Sequence, residues 1–166
     1  MRLIAAPLSL LVLALALGSQ LGAQSPGTTS QSEPARVVFV CEHGSVKSLV
    51  GAVYFNRWAE QRGLPYRAVA RGVVPDSAVP APVRDGLRTD GFKVSAFVPQ
   101  ALRASDVAHA WLVVSFDQDV TKVVGSTRYL KWDGLPGVLA DYPRGRDVIV
   151  RRVDALVDEL ARTPPP

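Results

Sequence analysis

The sequence predicts an α/β domain: an open, parallel, four-stranded sheet with helices on both faces. Three observations carry that expectation. The runs Val37-Val38-Phe39-Val40 and Trp111-Leu112-Val113-Val114-Ser115-Phe116 are almost wholly apolar, as strands covered on both faces of a parallel sheet must be. Segments with helical spacing of apolar residues lie between and after them. The strand-like segments are too far apart for hairpins, so they imply crossover connections and one three-layer domain over residues 36–162.

Taken in order, the first stretch has the parts of an export signal. Arg2 gives the positive start, residues 4–18 are apolar apart from Pro7 and Ser9, and Leu21-Gly22-Ala23 offers small residues for cleavage. The expectation is a signal peptide over 1–23 and a periplasmic or extracellular protein. The apolar run falls short of the roughly 18–20 residues of a spanning helix, so no stable membrane insertion is expected after cleavage. Residues 24–35, QSPGTTSQSEPA, read as a disordered tether.

Residues 37–40 form the first expected strand. The apolar positions Leu49, Val50, Val53, Tyr54 and Trp58 then mark a helix over 48–62, closed by Gly63. A strand is expected over 66–70, a short helix over 83–89 ending at Asp90-Gly91, and a brief extended piece over 92–95. Ser105 is placed to cap a further short helix before the strand at 111–116. The last strand is expected over 129–132. Ile149, Val153, Leu156, Val157 and Leu160 line one face of a C-terminal helix.

Composition narrows the partners. Nineteen Lys and Arg against 15 Asp and Glu give a formal charge of +4, which favours anionic partners. No Lys/Arg run is present to track a nucleic-acid backbone, so DNA and RNA are not expected. No His/Asp/Glu cluster has metal-ligand spacing, and nothing calls for a cofactor. Oligomeric state is left open. Cys41 is the chain's one cysteine, which excludes an intramolecular disulfide and leaves a thiol that must be buried or used.

The neighbourhood of Cys41 points to use. The first strand ends in Cys41-Glu42-His43-Gly44-Ser45-Val46-Lys47-Ser48 and feeds directly into a helix. A helix start has N–H groups without intrahelical partners and a positive dipole end, so it attracts anions. Gly44 lets the loop curl until successive amides converge. Lys47 adds a cation, and Ser48 stands within reach of the sulfur. These features favour a thiolate and a phosphate-like ligand.

Cys41, five residues, a basic residue and Ser48 after an apolar strand resemble the low-molecular-weight phosphotyrosine protein phosphatases and their relatives, the thioredoxin-coupled arsenate reductases. The likeness extends over about residues 36–162. It includes Ala81-Pro82-Val83-Arg84-Asp85-Gly86-Leu87 and Asp90-Gly91-Phe92-Lys93-Val94-Ser95, which look like the arsenate reductase branch. The resemblance implies Cys41 as nucleophile and Ser48 as its hydrogen-bond donor. It makes Glu42, His43, Gly44, Ser45, Val46 and Lys47 the phosphate cradle. It also implies a late-loop aspartate as general acid, with Asp133 preferred and Asp141 the alternative. Three departures stand out: Lys47 where the family carries Arg, Gly44 where it usually carries Asn, and His43, which has no assigned counterpart. Arg would hold two oxygens in a planar fork, whereas Lys offers one point charge.

The leading expectation is therefore a phosphomonoester hydrolase working through a cysteinyl-phosphate. One alternative is an arsenate reductase resolved by an external thiol; another is a non-catalytic oxyanion-binding module.

Overall fold

The computed structural model describes residues 33–163. The expected signal over 1–23 and all but the last residues of the tether lie outside the described residues. Ala35, assigned to the tether from sequence, is instead strand, and its N–H donates to Pro65 O at 2.8 Å.

Strands β1 (Ala35–Cys41), β2 (Tyr66–Gly72), β3 (Ala110–Phe116) and β4 (Tyr129–Trp132) form one sheet in the order β2-β1-β3-β4. Every pairing is parallel: Val38 stands beside Val69 on one side and Val113 on the other, and Val114 beside Leu130. The helices are α1 (Lys47–Gln61), α2 (Ala81–Thr89), α3 (Ala104–Ala108), α4 (Thr121–Val124) and α5 (Tyr142–Arg162).

Period-two alternation divides the core between the two faces. Val37, Phe39, Leu112, Val114 and Phe116 pack with Val50 and Phe55 of α1 and Ile149, Val153 and Val157 of α5. Val38, Val40 and Val113 point the other way, onto Val107 of α3 and Val124 of α4. On edge strand β2, Asn56 takes the place of a neighbouring strand: its amide donates to Ala68 O at 3.0 Å and accepts from Ala68 N at 2.7 Å.

The structure departs from expectation at several further places. Helix α1 starts one residue earlier, at Lys47. Residues 92–95 join no ladder. Phe92 instead packs its ring 4.7 Å from Tyr54 and beneath the Arg57 guanidinium at 3.4 Å, and its N–H closes α2 on Leu87 O. Ser105 sits inside α3, whose start is held by Asp106 accepting from Arg103 N at 3.0 Å. The single-turn α4 had no periodicity to announce it; Asp119 accepts from Thr121 N at its start. Among the described residues no helix is long and apolar enough to cross a membrane.

Candidate active site

From β1 the chain runs to β2 on one side, then crosses back to β3 on the other. That reversal opens a crevice at the C-terminal ends of β1 and β3, where open α/β sheets bind ligands. A cavity of about 220 Å³ lies there. The β1–α1 loop supplies Cys41, Glu42, His43, Val46 and Lys47, the end of β3 supplies Phe116 and Asp117, and the segment before α5 supplies Gly137, Val138 and Leu139.

Cys41 is 4% exposed, and its sulfur receives the Gly44 N–H at 3.2 Å. Ser48 Oγ lies 3.1 Å from the same sulfur, its hydroxyl free to donate when the thiol is ionised. The loop's shape comes from outside itself. The carbonyls of Cys41, Glu42 and His43 accept from the N–H groups of Val73, Val74 and Asp76 at 3.0, 2.8 and 3.0 Å. Asp76 also accepts from the Ser45 hydroxyl and stands 3.3 Å from His43 Nδ1. With these carbonyls tied to the segment after β2, the amide side of the loop is left to face a ligand. Gly44 sits at φ +69°, and a Cβ there would meet Gly72 N at 2.7 Å; the two glycines let the loop and β2 approach.

Lys47, the cavity's basic residue, is engaged. Its ammonium donates to Asp117 Oδ2 and to Leu135 O at 3.3 Å. Asp117 is the one described non-glycine residue with positive φ, +56°, and its Oδ1 accepts from Gly134 N at 2.7 Å. Burial pushes its carboxyl up, but Lys47 and the N–H groups of Gly134 and Leu135 outweigh burial and hold it below the usual carboxylate range.

The structure thus brings Cys41, Lys47 and Ser48 together with the loop's amides. It does not bring Asp133 to them: that carboxylate is 57% exposed and pairs with Lys131 at 3.1 Å, outside the cavity wall. Asp141 is occupied as the cap of α5, accepting from Arg144 N at 3.1 Å. Arg71, at the end of β2, is off the cavity wall and mostly buried against Asp106 at 2.8 Å. Asp76, Gly72 and Asp117 were missed from sequence. Asp117 carried one signal, its position directly after β3 at the ligand-binding edge of the sheet. Among the described residues no group of three His, Cys, Asp or Glu is placed to hold a metal ion.

The model of the family described as low molecular weight phosphotyrosine protein phosphatase matches residues 36–131. The chain belongs to that family. Comparison with curated proteins gives no match. Among solved structures, the chain is similar to a thioredoxin-dependent arsenate reductase from Corynebacterium glutamicum, with 19% identity and a TM-score of 0.65 over 80% of this chain. That match takes in 64% of the Corynebacterium protein's length. It is also similar to a low molecular weight protein tyrosine phosphatase from T. tengcongensis, at 18% identity and TM-score 0.67, covering 76% of this chain and 99% of the other. The YwlE arginine phosphatase from Geobacillus stearothermophilus aligns at 19% identity and TM-score 0.58, covering 78% and 94%. These likenesses are of fold.

Proposed function

We propose that the protein hydrolyses phosphomonoesters through Cys41. The observation that carries the reading is the buried sulfur at the end of β1, within hydrogen-bond reach of Gly44 N–H and Ser48 Oγ, at the start of a 15-residue helix. The thiolate attacks phosphorus and the bond to the ester oxygen breaks, leaving phosphate on sulfur. Water then attacks phosphorus, the P–S bond breaks, and the thiolate returns with free phosphate. The loop amides and Lys47 carry the charge on the equatorial oxygens.

The proton on the leaving oxygen decides the substrate class. Asp133 and Asp141 stand off the cavity wall, and Asp117 is held ionised. A leaving group that departs with little protonation is favoured, and a phenol, with a pKa of about 10, meets that need far better than an alkyl alcohol. Aryl phosphates of the phosphotyrosine type are the proposed substrates. The test is burst kinetics with an aryl phosphate: one product equivalent per Cys41 in the burst, abolished by Cys41→Ser. No burst and no turnover would sink the proposal.

The Lys47–Asp117 pair favours a second reading, an oxyanion binder without turnover. In that case Lys47→Arg combined with Asp117→Asn, which frees the guanidinium from the carboxylate, restores a bidentate clamp and raises turnover by one to two powers of ten, about 1.4–2.8 kcal/mol. An enzyme adapted to Lys would change only modestly. Arsenate reduction would need an external thiol, because Cys41 is the single cysteine.

We also propose export, on Arg2 and the apolar run over 4–18. N-terminal sequencing of secreted or periplasmic protein should begin near Gln24; soluble cytoplasmic protein retaining Met1 would refute it.

A further inference from the structure

The cavity's cation is already neutralised. Lys47 Nζ donates to Asp117 Oδ2 and to Leu135 O, and its side chain is only 19% exposed. Asp117 is fixed in turn by Gly134 N at 2.7 Å and by a backbone conformation that non-glycine residues seldom adopt. Its carboxylate lines the same cavity wall as the Cys41 loop, so any oxyanion that reaches Lys47 also meets Asp117.

That geometry treats two ionisation states differently. A fully ionised dianion gains Lys47 and the loop amides but sets an unprotonated oxygen against a carboxylate in a partly desolvated cleft. A singly protonated oxyanion turns its O–H toward Asp117, donating a charge-assisted hydrogen bond, while its other oxygens take the ammonium and amides. The remaining ionisable groups on the wall are Cys41, Glu42 and His43 from the loop, while the Asp133 carboxylate is turned away to Lys131 at 3.1 Å. None of them takes Asp117's place beside Lys47.

We infer that Asp117 is a specificity-determining residue that makes this site select singly protonated oxyanions over dianions of the same shape. The inference rests on the proposed oxyanion site and deepens it. Phosphate and sulfate discriminate well, because both are tetrahedral and similar in size while sulfate carries no proton near neutrality.

The experiment is calorimetric titration of the full-length protein with inorganic phosphate and with sulfate at about pH 6 and about pH 8. At the lower pH phosphate binds at least about tenfold more tightly than sulfate. The phosphate-to-sulfate affinity ratio falls about tenfold at the higher pH, following phosphate's second ionisation. Asp117→Asn removes the negative charge and turns one acceptor oxygen into an N–H donor, so the ratio collapses to within about twofold of unity and sulfate binding strengthens. The wild-type pH series stands as a test even where the variant folds poorly. Equal binding of both anions, or a ratio independent of pH, overturns the inference and leaves the oxyanion site standing. Binding of neither anion overturns both.

Discussion

Gly72→Ala should disable the Cys41 loop from a position outside the cavity wall. A Cβ at position 72 would lie 2.8 Å from Gly44 N, 2.8 Å from His43 C and 3.0 Å from His43 O, all backbone atoms of the loop. Ordinary contact begins near 3.4 Å, so the loop must retreat from β2 by roughly 0.6 Å. No side chain can rotate to relieve this, and overpacking of that kind costs about 1–3 kcal/mol. The retreat would strain the Gly44 N–H contact to the Cys41 sulfur, now 3.2 Å, and move the amides that face the ligand. A displacement near 1 Å at a reacting centre costs about two powers of ten in rate, so a loss of 10- to 100-fold in aryl-phosphate turnover is expected. Urea unfolding and kcat/KM on the same preparations measure both effects. Gly63→Ala is the control: its Cβ meets nothing within 4 Å, so only stability should fall. If Gly72→Ala keeps wild-type stability and phosphate affinity, the loop is not shaped by its contact with β2 and the reasoning fails.

Other expectations follow from groups beyond the loop. Asp90 accepts from Tyr54 OH at 2.8 Å, Tyr142 OH at 2.7 Å and Arg146 at 2.6 Å, tying α1 and α5 to the end of α2. Asp90→Ala strands all three donors and should cost about 3 kcal/mol by urea denaturation; a loss under 1 kcal/mol would contradict that accounting. Burial alone would raise the Asp90 carboxyl, but Tyr142, Tyr54 and Arg146 outweigh it and hold it below the usual range. Its contribution is therefore complete above about pH 4 and is lost as pH falls toward the depressed value, so wild type and Asp90→Ala should converge in acid unfolding. Asp141→Ala removes the α5 cap and should lower stability by about 1 kcal/mol; unchanged stability would contradict the capping role. Asp133→Asn should leave aryl-phosphate turnover within about twofold, whereas a loss near 100-fold would show that Asp133 reaches the substrate after all.

The sequence made the sheet legible because burial on both faces leaves a continuous apolar run at Val37–Val40 and a nearly continuous one in β3, and their shortness and β-branched content set them apart from a buried helix. The Cys41 loop was legible for a related reason: its thiol, hydroxyl, glycine and cation lie within eight consecutive residues. Groups that arrive from elsewhere in the chain were not. Asp76 joins Ser45 across 31 positions and Asp117 joins Lys47 across 70, and nothing local distinguishes either from an ordinary turn carboxylate. Asp133 misled in the opposite sense. It follows the last strand at the correct edge of the sheet, but the turn at Gly134, with φ +69°, gives that residue's N–H to Asp117 and leaves the Asp133 side chain with Lys131.

This arrangement also gives the lysine at position 47 a physical rationale. An ammonium has three N–H donors, and two are spent on Asp117 and on Leu135 O, which pins the segment carrying Gly137, Val138 and Leu139 against the cavity. The third remains for a ligand. An arginine in the same place would lay its fork along the Asp117 carboxylate and satisfy both of that group's oxygens at once, competing with the Gly134 N–H that now holds one of them. Lysine and Asp117 therefore belong together: the compact cation leaves the carboxylate its backbone partner and keeps one donor free. Changing either residue alone should alter anion binding more than changing both, so the pair Lys47→Arg with Asp117→Asn should recover phosphate affinity that Lys47→Arg alone loses. A double variant that is merely the sum of the two single ones, by phosphate titration, would show that the residues act independently.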